Sequence, residues 1–374
     1  MKLLTTIKEQ KSNILFSFMK KILVVILSII ALTILGCCIF YNLNLKAVSS
    51  SSNEVEFMVD SGSTYYDVIS KLKKEDLIRN ELCFKLYIKF NKVNDIQAGT
   101  YKLNKNMDVS EIVNIFSKGN TYNPDAIVIT FKEGKHMRDI ASTISKNTNN
   151  TESDVYNLLT NKEYLNKLID KYWFIDKNIL DDKLYYSLEG YLYPNTYEFN
   201  NKDVSVEDIF ETMLNETEKQ LTSIKTDILS NEYSVHEILT LASIVELEGA
   251  KSNDRAGIAG VFYNRLHNNW ALGSDVTTYY ASKIEMSDRD LYQYELDAEN
   301  DYNTRSNYLA GKLPVGPICN PSIDSIKAVI NPTNSEYYYF VADVNGKTYF
   351  SKTYDEHLAT RRDLIEAGLW YTYD

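Results

Sequence analysis

Residues Ile22–Tyr41 read ILVVILSIIALTILGCCIFY, twenty positions without a charge. At a helical rise of about 1.5 Å per residue such a run crosses a hydrocarbon core of roughly 30 Å. It divides the chain into a short basic tail and one long remainder. Lys2, Lys8, Lys11, Lys20 and Lys21 stand before it against Glu9 alone, whereas only Lys46 follows it ahead of the serine run Ser49–Ser52. Positive flanks stay in the cytoplasm, so the reading is a cytoplasmic tail over 1–21, a membrane helix over 22–41, a linker over 42–54 and an extracytoplasmic remainder. A cleaved signal peptide would have a shorter apolar core of about 7–15 residues and a small-residue cleavage site. A lipoprotein reading at Gly36–Cys37 meets Leu35, which fits poorly two residues before the cysteine.

Domains of about 100–200 residues are typical, so the remainder has room for two domains and a sizeable core. A net charge of −11, with lysines scattered among acids, argues against a nucleic-acid partner. Cys37 and Cys38 lie in the apolar run, and Cys83 and Cys319 stand far apart outside it. The outer pair reads as two buried free thiols, although one bond between them is chemically open. His136, His236, His267 and His357 show no metal-ligand spacing, and neither metal nor cofactor is expected.

Past the linker, alternation at Val55, Phe57 and Val59 predicts a strand, with Asp60–Ser63 as its turn. A helix from Thr64 carries Val68, Ile69 and Leu72 at helical spacing. A second covers Glu81–Phe90, and Ala98–Leu103 reads as a strand. Strand, turn and helix recur over Ile127–Ile144, and more loosely over Tyr101–Phe116. Thr151 to about Gln220 reads as helical segments between polar stretches, and Glu237–Glu248 is the most apolar helix. Asn320-Pro321 predicts an N-cap and first-turn proline for a helix over Ser322–Ile330. Tyr337–Asp343 and Lys347–Phe350 form a hairpin about Asn345-Gly346, and Thr353 with Glu356 makes a capping box. The fold class is α+β.

Six segments look too specific for packing alone. They are SLEGYLYPNTYEF (Ser187–Phe199), LASIVELEGA (Leu241–Ala250), IAGVFYNRL (Ile258–Leu266), LGSDVTTYYA (Leu272–Ala281), YNTRSNYLAGKLPVGPICNPSIDSIKAVINP (Tyr302–Pro332) and YYYFVADVNGKTYFSKTYDEH (Tyr337–His357). In this order they resemble the YceG-like family of membrane-anchored endolytic murein transglycosylases, over nearly the whole chain. The resemblance implies a LysM-like subdomain over 55–120 and a larger mixed α/β catalytic domain over 121–374. It also implies peptidoglycan glycan strands as substrate, a lyase reaction leaving 1,6-anhydroMurNAc ends, a single membrane span and a partnership with glycan-polymerising enzymes.

The resemblance places the catalytic glutamate at the second acid of ASIVE-x-E, here Glu248. An acid that must protonate a glycosidic oxygen near neutral pH needs a raised pKa, which apolar surroundings supply by disfavouring its charged form. Glu246 is the second candidate, about 160° round the helix at roughly 100° per residue. Apolar residues flank both, so the helical wheel does not choose. Carried over from their motifs, Glu189, Asn264, Ser274, Asp275, Tyr302, Asn303, Thr304 and Asn320 are implied as substrate-groove residues. Each has a plainer reading: Asp275 as cap of a helix beginning at Val276, Asn320 as a cap, Asn264 and Arg265 as ties between helices.

Departures from the family pattern are Asn195 in place of an aspartate, Val315 in place of a proline, Arg305 in place of an aromatic, and Val276 after Asp275 in place of a proline. Two other functions stay open at this point. One is a lysozyme-like hydrolase using Asp275 or Glu189 as second carboxylate; the other is a non-catalytic wall-binding scaffold. The 29 tyrosines, clustered at Tyr185-Tyr186, Tyr279-Tyr280 and Tyr337–Tyr339, are assigned to packing.

Overall fold

The computed structural model describes residues 2–119, 121–249 and 254–370, with only the backbone path described for 2–18. The chain forms two compact units, Met1–Pro124 and Asp125–Asp374.

The first unit opens with α1 (Lys2–Leu45), whose stretch Met19–Leu45 is long and apolar enough to cross a membrane. The helix runs beyond the apolar residues at both ends, because the apolar run marks where lipid fits, not where helical propensity stops. Leu23, Val24, Leu27, Ile30 and Leu35 stand exposed. The hydroxyls of Ser28 and Thr33 donate back to the carbonyls of Val24 and Ile29, each at 2.8 Å. In lipid a hydroxyl has no water to turn to, and this internal bond satisfies it.

Beyond α1, β1 (Glu54–Val59) pairs antiparallel with β2 (Gly99–Asn104), placing Phe57 opposite Tyr101. Between them lie α2 (Tyr65–Lys74) and α3 (Glu81–Phe90), and α4 (Val109–Lys118) follows. Phe57, Ile69, Leu72, Phe84, Tyr101, Ile112 and Phe116 form the core. Thr64 with Asp67 and Asp108 with Glu111 close capping boxes on α2 and α4, which is why these starts are readable from residue type. Cys83 is a buried free thiol here, as Cys319 is in the second unit.

The second unit begins with β3 (Ile127–Thr130), α5 (Met137–Asn147), α6 (Glu152–Leu159) and α7 (Lys162–Lys171). The chain then returns through β4 (Thr196–Phe199), antiparallel to β3 with Ile127 opposite Phe199. This corrects the reading of Thr151–Gln220 as helical throughout. Four residues with Tyr197 and Phe199 turned inward are too short a strand to stand out between helices.

Next come α8 (Val206–Thr222), α9 (Lys225–Leu229), α10 (Val235–Glu248), α11 (Arg255–His267), α12 (Asp275–Ser282), α13 (Gln293–Leu296) and α14 (Ile323–Ile330). The hairpin of β5 (Tyr339–Ala342) and β6 (Thr348–Ser351) and the closing α15 (Tyr354–Glu366) complete the unit. Helix α10 is buried over every residue from Ile238 to Val245, and α11, α12 and α14 pack around it. A helix apolar on all sides has to be surrounded, and this one forms the axis of the unit.

Two cap expectations move by one or two residues. Helix α14 starts at Ile323 with Ser322 as its cap, because the Asn320 amide is spent elsewhere. Ser274, not Asp275, holds the cap position of α12.

Candidate active site

Both acids of the ASIVE-x-E motif sit in the last turn of α10, and their surroundings differ. The Glu246 carboxylate accepts hydrogen bonds from the Ser322 amide (2.9 Å), the Ser322 hydroxyl (2.5 Å) and the Ser325 hydroxyl (2.6 Å), and pairs with Arg255 at 3.0 Å. Burial pushes its pKa up, but these donors and the Arg255 charge outweigh burial, and the net shift is downward. Glu246 is thus a permanent anion that ties the first turn of α14 to α10.

Glu248 is the last residue of α10 and half-buried. It takes a hydrogen bond from the Ser274 hydroxyl at 2.5 Å. Loss of water around the carboxyl raises its pKa, and the neighbouring Asp275 charge raises it further. The Ser274 bond and the charges of Arg265 and Arg305 work against this without cancelling it. Its place at the negative end of the helix dipole also favours the protonated form. A carboxyl whose protonated form is favoured, and which keeps some open surface, is suited to give a proton to a ligand.

Ser274 is set in place by the YNTRS motif. Its amide donates to the Thr304 hydroxyl at 3.1 Å, the Gly273 amide donates to the Thr304 carbonyl at 2.8 Å, and the Thr304 and Thr277 hydroxyls lie 2.8 Å apart. Asn303 is the hub behind them. Its side-chain carbonyl accepts from the Thr278 hydroxyl at 2.7 Å, and its amide donates to the carbonyls of Leu296 (3.0 Å) and Ala298 (2.7 Å). Asp275 stays exposed, ion-paired with Arg305.

Among the other expected groove residues, Glu189, Tyr302 and Asn320 are inside the protein, at 1 %, 0 % and 1 % exposure. Glu189 accepts from the Met137 amide through both oxygens, each at 3.0 Å, and from the Tyr280 hydroxyl at 3.0 Å. Burial pushes its pKa up to about 8. The Tyr302 hydroxyl accepts from the Tyr185 amide at 3.1 Å. The Asn320 side chain accepts from the Leu192 amide at 2.9 Å and donates to the Lys135 carbonyl at 3.2 Å. These three join motifs far apart in the chain and brace the region under the site. The Asn264 amide donates to the carbonyls of Ser335 (2.8 Å) and Tyr337 (2.9 Å), tying α11 to the segment leading into β5.

Arg265 is the residue underrated by sequence reasoning. It donates to the carbonyls of Tyr338 (2.7 Å) and Leu272, and its charge reaches Glu248. Its only signal in the sequence is its place in IAGVFYNRL. Among the described residues no three His, Cys, Asp or Glu side chains converge on a metal-binding geometry.

A half-buried carboxyl whose pKa is raised, set by a hydroxyl and acted on by two arginine charges, sits on a mixed α+β scaffold that follows an N-terminal apolar helix. The chain belongs to the YceG-like family, whose model matches residues 57–363. It is 35 % identical to an endolytic murein transglycosylase of Bacillus subtilis over 337 residues, covering 89 % of this chain and 92 % of that one. A protein of the same description from Streptococcus pneumoniae is 33 % identical over 328 residues, covering 83 % of this chain and 58 % of its own, longer length. The crystal structure of a YceG-like protein from Listeria monocytogenes matches with a TM-score of 0.58 at 32 % identity, covering 83 % of this chain and 100 % of that one.

Proposed function

We propose that the chain is an endolytic lytic transglycosylase that cleaves the MurNAc-β-1,4-GlcNAc bond of nascent peptidoglycan strands and leaves 1,6-anhydroMurNAc ends, so terminating strand growth. The observation that carries this is the divergence of the two motif acids. Glu246 is consumed by structure and its pKa is lowered, whereas Glu248 is partly open, hydrogen-bonded by one serine, and has its pKa raised by loss of water.

In this reaction Glu248 gives its proton to the leaving glycosidic oxygen as the bond breaks. The resulting carboxylate then takes the proton of the C6 hydroxyl on the same MurNAc, whose oxygen closes on C1. The proton count returns to its start and no water is consumed. An intramolecular hydroxyl has a high effective concentration, so no second carboxylate is needed to activate a nucleophile. Ser274 holds the Glu248 carboxyl in register, and Arg265 and Arg305 stabilise it in its anionic phase.

A hydrolase would need a second carboxylate beside the bond. The enclosure of Glu189 and the engagement of Asp275 by Arg305 both favour the lyase. In this reading Asn303, Thr304, Tyr302, Glu189 and Asn320 position the groove rather than touch sugar, and Ser274, Asp275 and Asn264 line or brace it.

The anchor has the N-terminus in the cytoplasm and the chain beyond the apolar helix outside, as the lysine imbalance favours. The segment 55–120, built on the β1–α2–α3–β2 pattern, is LysM-like, and 121–374 is the catalytic domain. Glycan-polymerising enzymes are the protein partners, since they deliver the strand at the membrane.

Product analysis tests the reading. Full-length protein in detergent, given purified glycan strands, should yield 1,6-anhydro termini by mass spectrometry. Glu248→Gln should lower the rate by about 10² to 10⁴-fold. Reducing termini as the sole product would replace the lyase with a hydrolase.

A further inference from the structure

The segment Tyr337–His357 is the one motif to which the chemistry above gives no task. Its hairpin is fixed to α11 by the Asn264 and Arg265 bonds to the carbonyls of Ser335, Tyr337 and Tyr338. Trp270, just past the end of α11, lies against Tyr338 with ring centroids 5.0 Å apart and against Tyr339 at 6.2 Å. Tyr339 continues the row to Tyr354 at 5.8 Å and to His357 at 5.6 Å.

This row is not a core. Trp270 is 43 % exposed and Tyr354 57 %. Tyr338 and Tyr339 between them are half-buried. Leaving the outer rings in water forgoes about 25 cal/mol for every Å² of apolar area, which points to a ligand that covers them.

The row is also continuous with the acid. The Arg265 guanidinium rests over the Tyr339 ring at 5.5 Å, while its charge acts on Glu248. Trp270 and Ser274 are four residues apart, so their Cα atoms lie within about 14 Å of each other even with the chain fully extended. Ser274 in turn hydrogen-bonds Glu248.

Resting on the proposed lyase function, we infer that Trp270, Tyr338 and Tyr354, joined through Tyr339, form a saccharide-stacking subsite that holds the glycan strand on one side of the scissile bond. A β-linked pyranose turns a flat face of C–H groups to one side and its hydroxyls to the rim. Aromatic rings match that face, and phenolic hydroxyls serve the rim. An enzyme that cuts within a strand has to grip sugars beyond the cleaved bond, and this surface begins one arginine away from the acid.

The test uses full-length protein in detergent with isolated glycan strands as probe. Trp173→Phe and Trp370→Phe in the Glu248→Gln background leave Trp270 as the sole tryptophan. Its emission should change saturably as strands are added. In the active enzyme, Trp270→Ala should raise KM by about tenfold or more, with the loss in KM rather than kcat. Tyr354→Ala, at an exposed ring, should do the same in smaller measure, and Trp270→Phe should stay within about threefold because it keeps a flat ring.

A silent Trp270 while strands bind the Glu248→Gln protein overturns the subsite and leaves the lyase standing, as does an unchanged KM in Trp270→Ala. Absence of both cleavage by the wild type and binding by Glu248→Gln overturns the subsite together with the reading it rests on.

Discussion

Glu248 loses water at the end of α10 and takes one hydrogen bond from Ser274, while Glu246 collects three donors and an arginine. Glu246→Gln is therefore expected to act on stability. It leaves the half-buried Arg255 without its anion, at a cost of about 3 kcal/mol, seen as a lower urea midpoint, while folded protein still forms anhydro ends. At Glu248 the expected effect is on pH dependence. The acid has to be protonated before the first step, so activity falls as pH rises through its raised pKa. Asp275 raises that pKa, and Asp275→Asn should move the alkaline limb of kcat/KM to lower pH. Arg305 lowers it, and Arg305→Ala should move the limb to higher pH. Equal profiles for both variants and wild type would show that another group sets the limb. The sequence pointed to Glu248 by motif, but the helical wheel left both acids open. What separates them is which hydroxyls and cations arrive from α14, α11 and the loop before α12, and spacing along α10 carries no trace of these.

At the scale of elements, helix starts were legible where a capping residue meets an acid three positions on, as at Thr64 and Thr353. The cap of α14 was misplaced because Asn320 is an equally good cap by type, and its amide is taken by Leu192 and Lys135. Close packing explains Gly260 in α11. A Cβ there would lie 2.2 Å from the Thr333 carbonyl oxygen, a backbone atom with nowhere to go. Gly260→Ala should cost about 1–3 kcal/mol in chemical denaturation as α11 is pushed off the loop after α14. Glu189 fastens the start of α5 to α12. Its pKa rises from 4.5 to about 8 on folding, so the folded state binds its proton more tightly than the unfolded chain does. The stability this contributes is complete below about pH 4.5 and is lost as pH rises to about 8. Thermal midpoints of the wild type should fall between pH 5 and 8, and Glu189→Gln should flatten that slope. An unchanged slope would show that Glu189 does not titrate in this range.

For the molecule as a whole, the apolar helix gives the proposed chemistry its location. Tethering raises the effective concentration of strands emerging at the membrane over that of mature wall. Deleting residues 1–41 should spare anhydro-end formation but reduce the preference for nascent over mature strands, measured by competition between the two. The deletion retains Leu45, which packs on the core of the first unit, and Ala47, whose carbonyl accepts from Arg79 at 2.8 Å. Equal preference with and without the helix would make the tether incidental. The sequence by itself determined the apolar span, the α+β class, the caps at Thr64 and Thr353 and the motif bearing the acid, because these depend on residue type and on spacing within one element. Only the tertiary structure decided which glutamate has its pKa raised and which has it lowered, that Glu189, Tyr302, Asn303 and Asn320 lie beneath the surface, and that Trp270 meets the hairpin tyrosines in a row exposed at its ends. Burial, charge and ring contact arise between segments far apart in the chain, and they become definite only when those segments pack.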